Sequence, residues 1–415
     1  MVKIDEAEMS DFSHLVPEHV RHLGGYTPGK SRRQAQQESS VDCIKLASNE
    51  NPFGPSPKAV HAMQVALAES NYYPDNDVSE LRQKLAQHHG VGPENIVAAA
   101  GSTALLGIIA RTLLSPGLNA VTSERSFIIY PIATQAAGGK LIQVSMRENA
   151  FDLDAIADAV DHNTRIIYLS NPNNPTGTVV TAAETDKFLN RLPDHVITIL
   201  DEAYYDFAQH FARLRGVDYS HAPDYAKPGR KVVVLRTFSK AHGLAGLRVG
   251  YGIGPAELMS YFARMRTTFS VSSVAQAAAV AALDDEAHIE KARRNNAEQS
   301  KILTDELNEL GIEFVSAREA IDTSGPMGRM FITLVGSIAE LERSLITERI
   351  RAGMRRARLE GQRLGRAPLD IDHDALVRDR LAGMSLTSVA RKYGVSRASV
   401  VRFVREAKQR LVAAA

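Results

Sequence analysis

The sequence predicts an α/β fold over residues 1–317, followed by a helical tail. Short apolar segments alternate with helical stretches through the first part, which is the pattern of a mostly parallel sheet. From residue 326 onward, apolar residues recur at spacings of mostly three and four, which indicates helix. The charge divides near the same place, because residues 318–415 carry 19 Lys and Arg against 11 Asp and Glu. An acidic body joined to a basic tail is therefore expected, and a basic segment favours a nucleic-acid or membrane-facing partner.

The composition excludes several classes of protein. The 415 residues are 44% hydrophobic and 23% charged, which is ordinary for a globular protein and suits about two or three domains. A single cysteine excludes internal disulfides, and no Cys/His cluster has the spacing of a zinc site, so we expect no metal and a reducing, cytoplasmic location. We also expect no secretion and no membrane span, because neither a signal pattern nor a run of about 18 apolar residues occurs.

Six short apolar segments are predicted as strands of the sheet. They are 96–99, 120–122, 141–144, 164–169, 196–200 and 231–235. Ligands of open parallel sheets bind outside the carboxyl ends of the strands. Residues that directly follow these segments are therefore the first candidates for a functional site.

Polar motifs follow three of these strands. They are Asn-Pro-Asn-Asn-Pro-Thr-Gly at 171–177, Asp-Glu-Ala-Tyr at 201–204 and Thr-Phe-Ser-Lys at 237–240, with Arg248 shortly after the last. A fourth motif, Gly-Ser-Thr at 101–103, opens a predicted helix over 104–114. Each motif alone has an ordinary explanation, such as a helix cap or a tight turn. Their common placement at strand ends favours one shared site.

These residue types suit a site for pyridoxal phosphate. A lysine amine, here Lys240, can bond to the cofactor aldehyde, and a carboxylate, here Asp201, can keep the pyridine nitrogen protonated so that the ring accepts electrons. The phosphate needs oriented N–H groups, hydroxyls and a cation. The candidates for that role are Gly101, Ser102, Thr103, Thr237, Ser239 and Arg248.

Three further side chains are assigned to the cofactor ring. Asn174 and the Tyr204 hydroxyl are suited to hydrogen-bond the ring hydroxyl, and Phe127 to stack on the ring face, although Phe127 is equally well explained as a core residue. Lys240, Asp201 and Tyr204 form the predicted catalytic set.

Together these segments resemble the class I/II, fold-type I aminotransferases, most of all the histidinol-phosphate aminotransferases. The resemblance covers residues 10–317 and includes 46–57 and 71–75. It implies exchange of an amino group between an amino acid or amino-alcohol phosphate and a 2-oxo acid, and a role in histidine biosynthesis. It further implies a homodimer with active sites at the subunit interface, in which Tyr73 reaches the cofactor phosphate of the other subunit and Tyr26 lies beside the substrate.

The resemblance ends after residue 317. A member of that family continues through the second half of a small domain, which includes an arginine that binds the substrate carboxylate, and nothing similar follows here. An arginine fork orients a carboxylate better than other side chains do. This difference predicts an incomplete small domain and impaired transamination, with cofactor binding retained.

The tail instead resembles the C-terminal part of serine recombinases, the resolvase/invertase family. Residues 318–365 are similar to the long dimerisation helix of that family, and 366–415 to its three-helix, helix-turn-helix domain, with helices at 385–392 and 397–410. The resemblance implies binding of duplex DNA through 363–415. The candidate contacts are Arg363, Arg366, Arg391, Arg397, Ser399 and Arg402. Strand cleavage is not expected, because the nucleophilic serine of that family belongs to a domain that residues 1–317 do not resemble.

The favoured interpretation is therefore an aminotransferase fused to a recombinase-type DNA-binding tail. One alternative is a DNA-binding protein without cleavage activity, whose aminotransferase-like body senses a ligand or dimerises. Another is a nonfunctional fusion product. Salt-sensitive binding to duplex DNA would support the first alternative, and aggregation traced to the unfinished small domain would support the second.

Overall fold

The computed structural model describes residues 12–26, 29–38, 44–309 and 371–413. The chain divides into two compact units, Met1–Glu319 and Ala320–Ala415. The long helix predicted from residue 326, together with Arg363 and Arg366, lies outside the described residues.

A seven-stranded sheet forms the centre of the first unit. The strands are β1 (Ile96–Ala99), β2 (Asn119–Ser123), β3 (Lys140–Val144), β4 (Thr164–Ser170), β5 (Ile197–Asp201), β6 (Val232–Thr237) and β7 (Gly250–Ile253). Their order across the sheet is β1-β7-β6-β5-β4-β2-β3, and β7 runs antiparallel to both of its neighbours. All other pairs are parallel. The six predicted strands are present, within two residues of their expected ends.

The sequence does not predict β7. Two of its four residues are glycine, which strands disfavour, so its apolar pattern is weak. The structure shows why Gly250 is needed, since a Cβ there would collide with the backbone nitrogen of Ser102. The strand thus brings the 101–103 motif close to the middle of the sheet.

Helices surround this sheet. They are α1 (Glu18–Arg21), α2 (Arg32–Glu38), α3 (Pro57–Ala66), α4 (Ser79–His89), α5 (Ser102–Leu113), α6 (Ile129–Ala136), α7 (Leu153–Asp158), α8 (Ala182–Leu189), α9 (Tyr205–Arg215), α10 (Ala222–Tyr225), α11 (Ala256–Arg264), α12 (Ser273–Ala282) and α13 (Glu286–Glu309). Several begin at a side chain that accepts a hydrogen bond from the first turn, as Ser56, Thr181 and Ser272 do. No described helix is both long enough and apolar enough to cross a membrane.

Two apolar clusters form the core, because successive residues of a strand point to opposite faces of a sheet. In β4, Ile167 and Leu169 belong to one cluster, whereas Ile166 and Tyr168 belong to the other. All four are at most 2% exposed. Because these strands are buried on both faces, their sequences are continuous apolar runs.

The carboxyl ends of β4, β5 and β6 lie side by side. In the parallel register, Ser170 pairs with Asp201 and Asp201 pairs with Leu235. The polar motifs that follow these three strands are therefore brought to one edge of the sheet.

The second unit contains three described helices, α14 (His373–Leu381), α15 (Leu386–Lys392) and α16 (Arg397–Ala413). Leu376, Val389, Ala390, Val400 and Phe403 form its small core. The helices predicted at 385–392 and 397–410 form close to those positions. Between them, Gly394 adopts a φ of 63°, a conformation that glycine permits without strain.

Candidate active site

Lys240 lies three residues beyond the end of β6. Its Nζ donates a hydrogen bond to the carbonyl oxygen of Ser48 at 2.8 Å and lies 5.4 Å from the centroid of the Tyr204 ring. Burial lowers the pKa of the Lys240 amine, although the carboxylate of Glu50 opposes this effect. More of the amine is therefore neutral at a given pH, and the neutral amine is the form that attacks an aldehyde.

Asp201 is the last residue of β5 and is 2% exposed. Its Oδ2 accepts a hydrogen bond from the Tyr130 hydroxyl at 3.2 Å, and its Oδ1 accepts one from the Ala203 N–H at 3.2 Å. No ion pair in the described part of the chain includes this carboxylate. Burial raises the pKa of Asp201 to about 6, because a buried carboxylate without a cation ionises reluctantly. A ligand that brings a cationic N–H would therefore be favoured here.

The loop after β4 is held in place by buried asparagines. The Asn171 amide donates to the Val180 carbonyl at 2.8 Å and accepts from the Val180 N–H at 2.9 Å, while Asn173 donates to the Arg125 carbonyl at 3.1 Å. These bonds fix the loop so that Asn174 faces the same cavity as Tyr204. The side-chain amide of Asn174 has no hydrogen-bond partner among the described residues, which leaves it available to a ligand.

A candidate anion site lies where α5 begins. The first N–H groups of the helix, those of Ser102 and Thr103, have no intrahelical partner. Gly101, which precedes the helix with a φ of 89°, has no side chain that could cap them. A Cβ on Gly101 would lie 2.5 Å from the Arg248 Nη2, so only glycine lets the guanidinium approach the helix this closely. A helix N-terminus beside an arginine is suited to a phosphate.

Two hydroxyl groups complete this anion site. Arg248 Nη1 donates a hydrogen bond to Ser239 Oγ at 3.2 Å, and the Ser239 N–H donates to Thr237 Oγ1 at 3.1 Å. Both hydroxyl residues are buried. The structure thus brings together all six residues assigned to the phosphate, from the start of α5 and from the end of β6 with the segment that follows it.

A cavity of about 690 Å³ opens beside Lys240. Lys240, Tyr204 and Asn174 line it, together with residues of α9 and α13. The Tyr204 hydroxyl accepts a hydrogen bond from Asn49 Nδ2 at 3.0 Å. This volume is in the range of small-molecule sites, and its position at the end of the parallel strands agrees with the predicted location.

Of the predicted cofactor and substrate residues, only Lys240, Tyr204 and Asn174 line this cavity, and three of the others have surroundings of a different kind. Tyr73 is 83% exposed and stacks on Phe269 with ring centroids 4.7 Å apart, and Tyr26 is 54% exposed. Phe127 packs edge-on against Tyr130, with ring centroids 5.7 Å apart. The contact of Tyr73 with a second subunit, that of Tyr26 with substrate and that of Phe127 with the cofactor ring stay predictions.

Two features of the site are not predicted from the sequence. Tyr130, which is fully buried, orients the Asp201 carboxylate and stacks on Tyr168 at 4.7 Å. Glu202 and Arg236 form a buried ion pair at 2.7 Å, which ties the end of β5 to β6. A signal for Tyr130 existed, since a tyrosine in an apolar stretch usually has a partner for its hydroxyl, but the sequence does not show which partner.

Comparisons with known proteins agree with this geometry. The family model for aminotransferase class I and II matches residues 41–349. Histidinol-phosphate aminotransferase 2 of Carboxydothermus hydrogenoformans is 39% identical over 77% of this chain and 88% of its own length, and histidinol-phosphate aminotransferase of Moorella thermoacetica is 43% identical over 72% and 76%. A crystal structure of histidinol-phosphate aminotransferase from Sinorhizobium meliloti in complex with pyridoxal-5'-phosphate has a TM-score of 0.62 and 29% identity, covering 68% of this chain and 74% of that one.

The fold and the site define a pyridoxal-phosphate enzyme with a fold-type I body. The chain belongs to the class I and II aminotransferase family and is a pyridoxal-phosphate-dependent aminotransferase, which uses an amino donor and a 2-oxo acid. The family match continues to residue 349, beyond residue 317, where the motifs noted in the sequence end.

The residues present fit the cofactor. The buried carboxylate of Asp201, which forms no ion pair with a described residue, suits a protonated ring nitrogen, and the cradle around Gly101 and Arg248 suits a phosphate. Lys240 supplies an amine whose pKa is lowered. No group of three or more His, Cys, Asp or Glu among the described residues is arranged to hold a metal ion.

Proposed function

We propose that this chain is an aminotransferase of the histidinol-phosphate type, which moves the amino group of an amino acid or amino-alcohol phosphate to a 2-oxo acid. The observation that carries the proposal is the placement of Lys240 and Asp201 at the ends of neighbouring strands, beside the anion site at Arg248. The relatives that bear this name support the choice of donor.

Each residue of the site has a separate proposed role in the reaction. Pyridoxal phosphate, when bound, supplies an aldehyde and an electron-accepting ring. Lys240 would hold the cofactor through its amine and would move the proton at the amino-bearing carbon of the substrate. Asp201, whose carboxylate accepts a hydrogen bond from Tyr130, would keep the ring nitrogen protonated. The side chains of Asn174 and Tyr204 would donate to the ring hydroxyl, and the Tyr204 hydroxyl can do so while it accepts from Asn49.

A panel of amino donors tests this function. We expect the full-length protein, loaded with pyridoxal phosphate, to convert histidinol phosphate with 2-oxoglutarate more efficiently than amino acids that lack a phosphate. We also propose, as the sequence predicts, that substrate binding is weak, so KM should be high while cofactor binding is retained. Initial rates measured over a range of donor concentrations give both quantities. Stoichiometric cofactor without conversion of any donor would contradict the proposal.

We further propose that the enzyme acts as a homodimer. Large apolar side chains are exposed on the described chain, including Ile44 at 86%, Leu46 at 83% and Tyr72 at 70%. Exposed apolar groups in such number favour burial against a partner. Tyr73 is itself 83% exposed, so its side chain is accessible for the predicted contact with the cofactor phosphate of the other subunit. Sedimentation of the full-length protein tests the dimer.

A second proposed activity is binding of duplex DNA through the tail, as its resemblance to serine recombinases implies. The observation that favours it is the pair α15 and α16, joined by a short turn at Gly394, with Arg391, Arg397 and Arg402 exposed. Ser399, another candidate contact in this helix, is half-buried, and its Oγ lies 2.9 Å from the Ser396 Oγ. The domain limits at 317 and 365 stay predictions.

We expect the full-length protein to bind duplex DNA with an affinity that falls steeply as salt rises. The double variant Arg397→Gln, Arg402→Gln should weaken binding and reduce the slope of log Kd against log salt by about two, since each phosphate contact contributes about one. Arg378→Gln, on the exposed side of α14, is the matched control and should leave the slope unchanged. Fluorescence anisotropy at several salt concentrations measures both. Absence of salt-sensitive binding would remove this proposal, and absence of cofactor binding as well would favour a nonfunctional fusion product.

A further inference from the structure

The cavity beside Lys240 continues as a groove between two helices that pack on each other, α9 and α13. The lining residues from α9 and its N-cap recur every three or four positions, as do those from α13. They are Tyr204, Phe207, Ala208, Phe211 and Arg215 on one side, and Ala292, Asn295, Asn296, Gln299, Ser300 and Leu303 on the other. This spacing places each set on one face of its helix. The groove therefore runs along both helices and starts at Tyr204, whose ring lies next to Lys240.

Arg215 lies at the far end of this groove. The helix rises about 16 Å between Tyr204 and Arg215, and a long side chain leans back toward the helix N-terminus, which brings the guanidinium to about 10 Å from the level of Tyr204. Among the described residues that line the cavity, Arg215 is the one cation besides Lys240. Its guanidinium has no hydrogen bond or ion pair with any described residue, and it is exposed.

We propose that Arg215 is an anion subsite for substrates whose second carboxylate or phosphate lies far from the reacting carbon. The inference rests on the proposed aminotransferase function of Lys240. Arginine binds such groups through two parallel hydrogen bonds. Phe207 and Phe211 offer an apolar wall to the methylene chain between the two ends, and Asn295 and Gln299 offer polar groups opposite them. The substrate class is therefore a long 2-amino dicarboxylate or the matching 2-oxo acid.

Histidinol phosphate does not reach this subsite. Its phosphate lies close to the amino-bearing carbon, so that carbon cannot sit at Lys240 while the phosphate contacts Arg215. The subsite and the histidinol-phosphate activity are therefore separable by substitution.

A matched set of donors tests the subsite. L-2-aminosuberate carries a distal carboxylate, whereas L-2-aminooctanoate has the same chain length without it. In the protein loaded with pyridoxal phosphate, Arg215→Gln should lower kcat/KM for aminosuberate about 10- to 100-fold, the usual effect of losing a charge-assisted hydrogen bond. The kcat/KM of the variant for aminooctanoate and for histidinol phosphate should stay within about twofold of the value for the protein with Arg215, because neither donor contacts the distal arginine.

Arg213→Gln is the control variant, because Arg213 also lies in the last turn of α9 and does not line the cavity. Both arginines stabilise the helix C-terminus, so equal losses for the two variants, or equal losses for all donors, would overturn the subsite. Calorimetric titration with suberate, which lacks the amine, gives a reading that does not depend on turnover. Suberate binding that Arg215→Gln abolishes supports the subsite, and binding that is absent or unchanged overturns it. Loss of the cofactor band at Lys240 bears on the aminotransferase function instead.

Discussion

Replacing Lys240 with alanine is expected to abolish transamination, with a loss of at least about 10⁴-fold, because the role proposed for this one residue is both to hold the cofactor aldehyde and to move the substrate proton. The variant should also lose the visible absorbance band that a lysine-bound cofactor gives. Bound cofactor need not disappear, since the anion site at Arg248 is untouched. Absorbance spectra and rates with histidinol phosphate as donor measure the two effects separately.

Lys58→Ala is the matched control for this variant. The Lys58 Nζ also donates a hydrogen bond to a backbone carbonyl, that of Asp284 at 2.7 Å, but Lys58 does not line the cavity. It should keep both the band and the activity. A Lys240→Ala variant that retained the band and turned over substrate at the unchanged rate would show that another amine holds the cofactor.

Replacing Asp201 with asparagine is expected to lower activity about 10²- to 10³-fold, because it removes the buried carboxylate that we propose as the partner of the protonated ring nitrogen. The amide keeps the shape of the carboxylate and can still accept a hydrogen bond from Tyr130. The loss should therefore appear in kcat rather than in the folding of the protein. Steady-state rates with one donor, compared at equal cofactor occupancy, measure it. Activity within about threefold of the unchanged protein would contradict the assigned role, since one broken buried pair costs far more than that.

The same variant should alter the pH dependence of the cofactor-free protein. The pKa of Asp201 is raised to about 6 in the folded chain from its ordinary value of 3.8, so the folded state binds this proton more tightly than the unfolded state does. The contribution to stability is then complete below about pH 4 and is lost as the pH rises through about 6, by about 3 kcal/mol. The free energy of unfolding, measured with urea at about pH 5 and about pH 7.5, should fall between these two pH values. The fall should be larger for the protein with Asp201 than for the Asp201→Asn variant. Equal falls would mean that Asp201 ionises normally.

Much of the fold can be predicted because its central strands are buried on both faces. Ile166 and Ile167 pack into different apolar clusters, so both faces of β4 must be apolar. The sequence of β4 is therefore a continuous apolar run that differs from the segments on either side of it. The glycines of β7 give no such run, since Gly250 is required by the close approach of Ser102. The residue types of β7 are therefore determined by a contact between segments that are distant in the sequence. The hydrophobic periodicity of the segment itself does not reveal such a contact.

The residues of the site likewise divide into those that the local sequence predicts and those that only distant contacts bring to the site. Lys240, Asp201 and Arg248 belong to motifs at strand ends, where parallel strands must place them together. Ser48 and Asn49 reach the site from a segment some 190 and 155 positions away from the residues they contact, and only the folded chain shows this. In the tail, Ser399 lies in the first turn of α16, and its N–H donates a hydrogen bond to the Ser396 Oγ in the manner of a helix cap. The sequence alone indicates this role, because both serines stand at the predicted start of the helix.

The attachment site of pyridoxal phosphate tests the central claim most directly. Borohydride reduction of the loaded full-length protein makes the bond between cofactor and lysine permanent, and mass spectrometry of the peptides then locates it. We predict a single pyridoxyl group, on Lys240. A modified lysine elsewhere, or no modification at full cofactor loading, would contradict the assignment of this edge of the sheet as the active site.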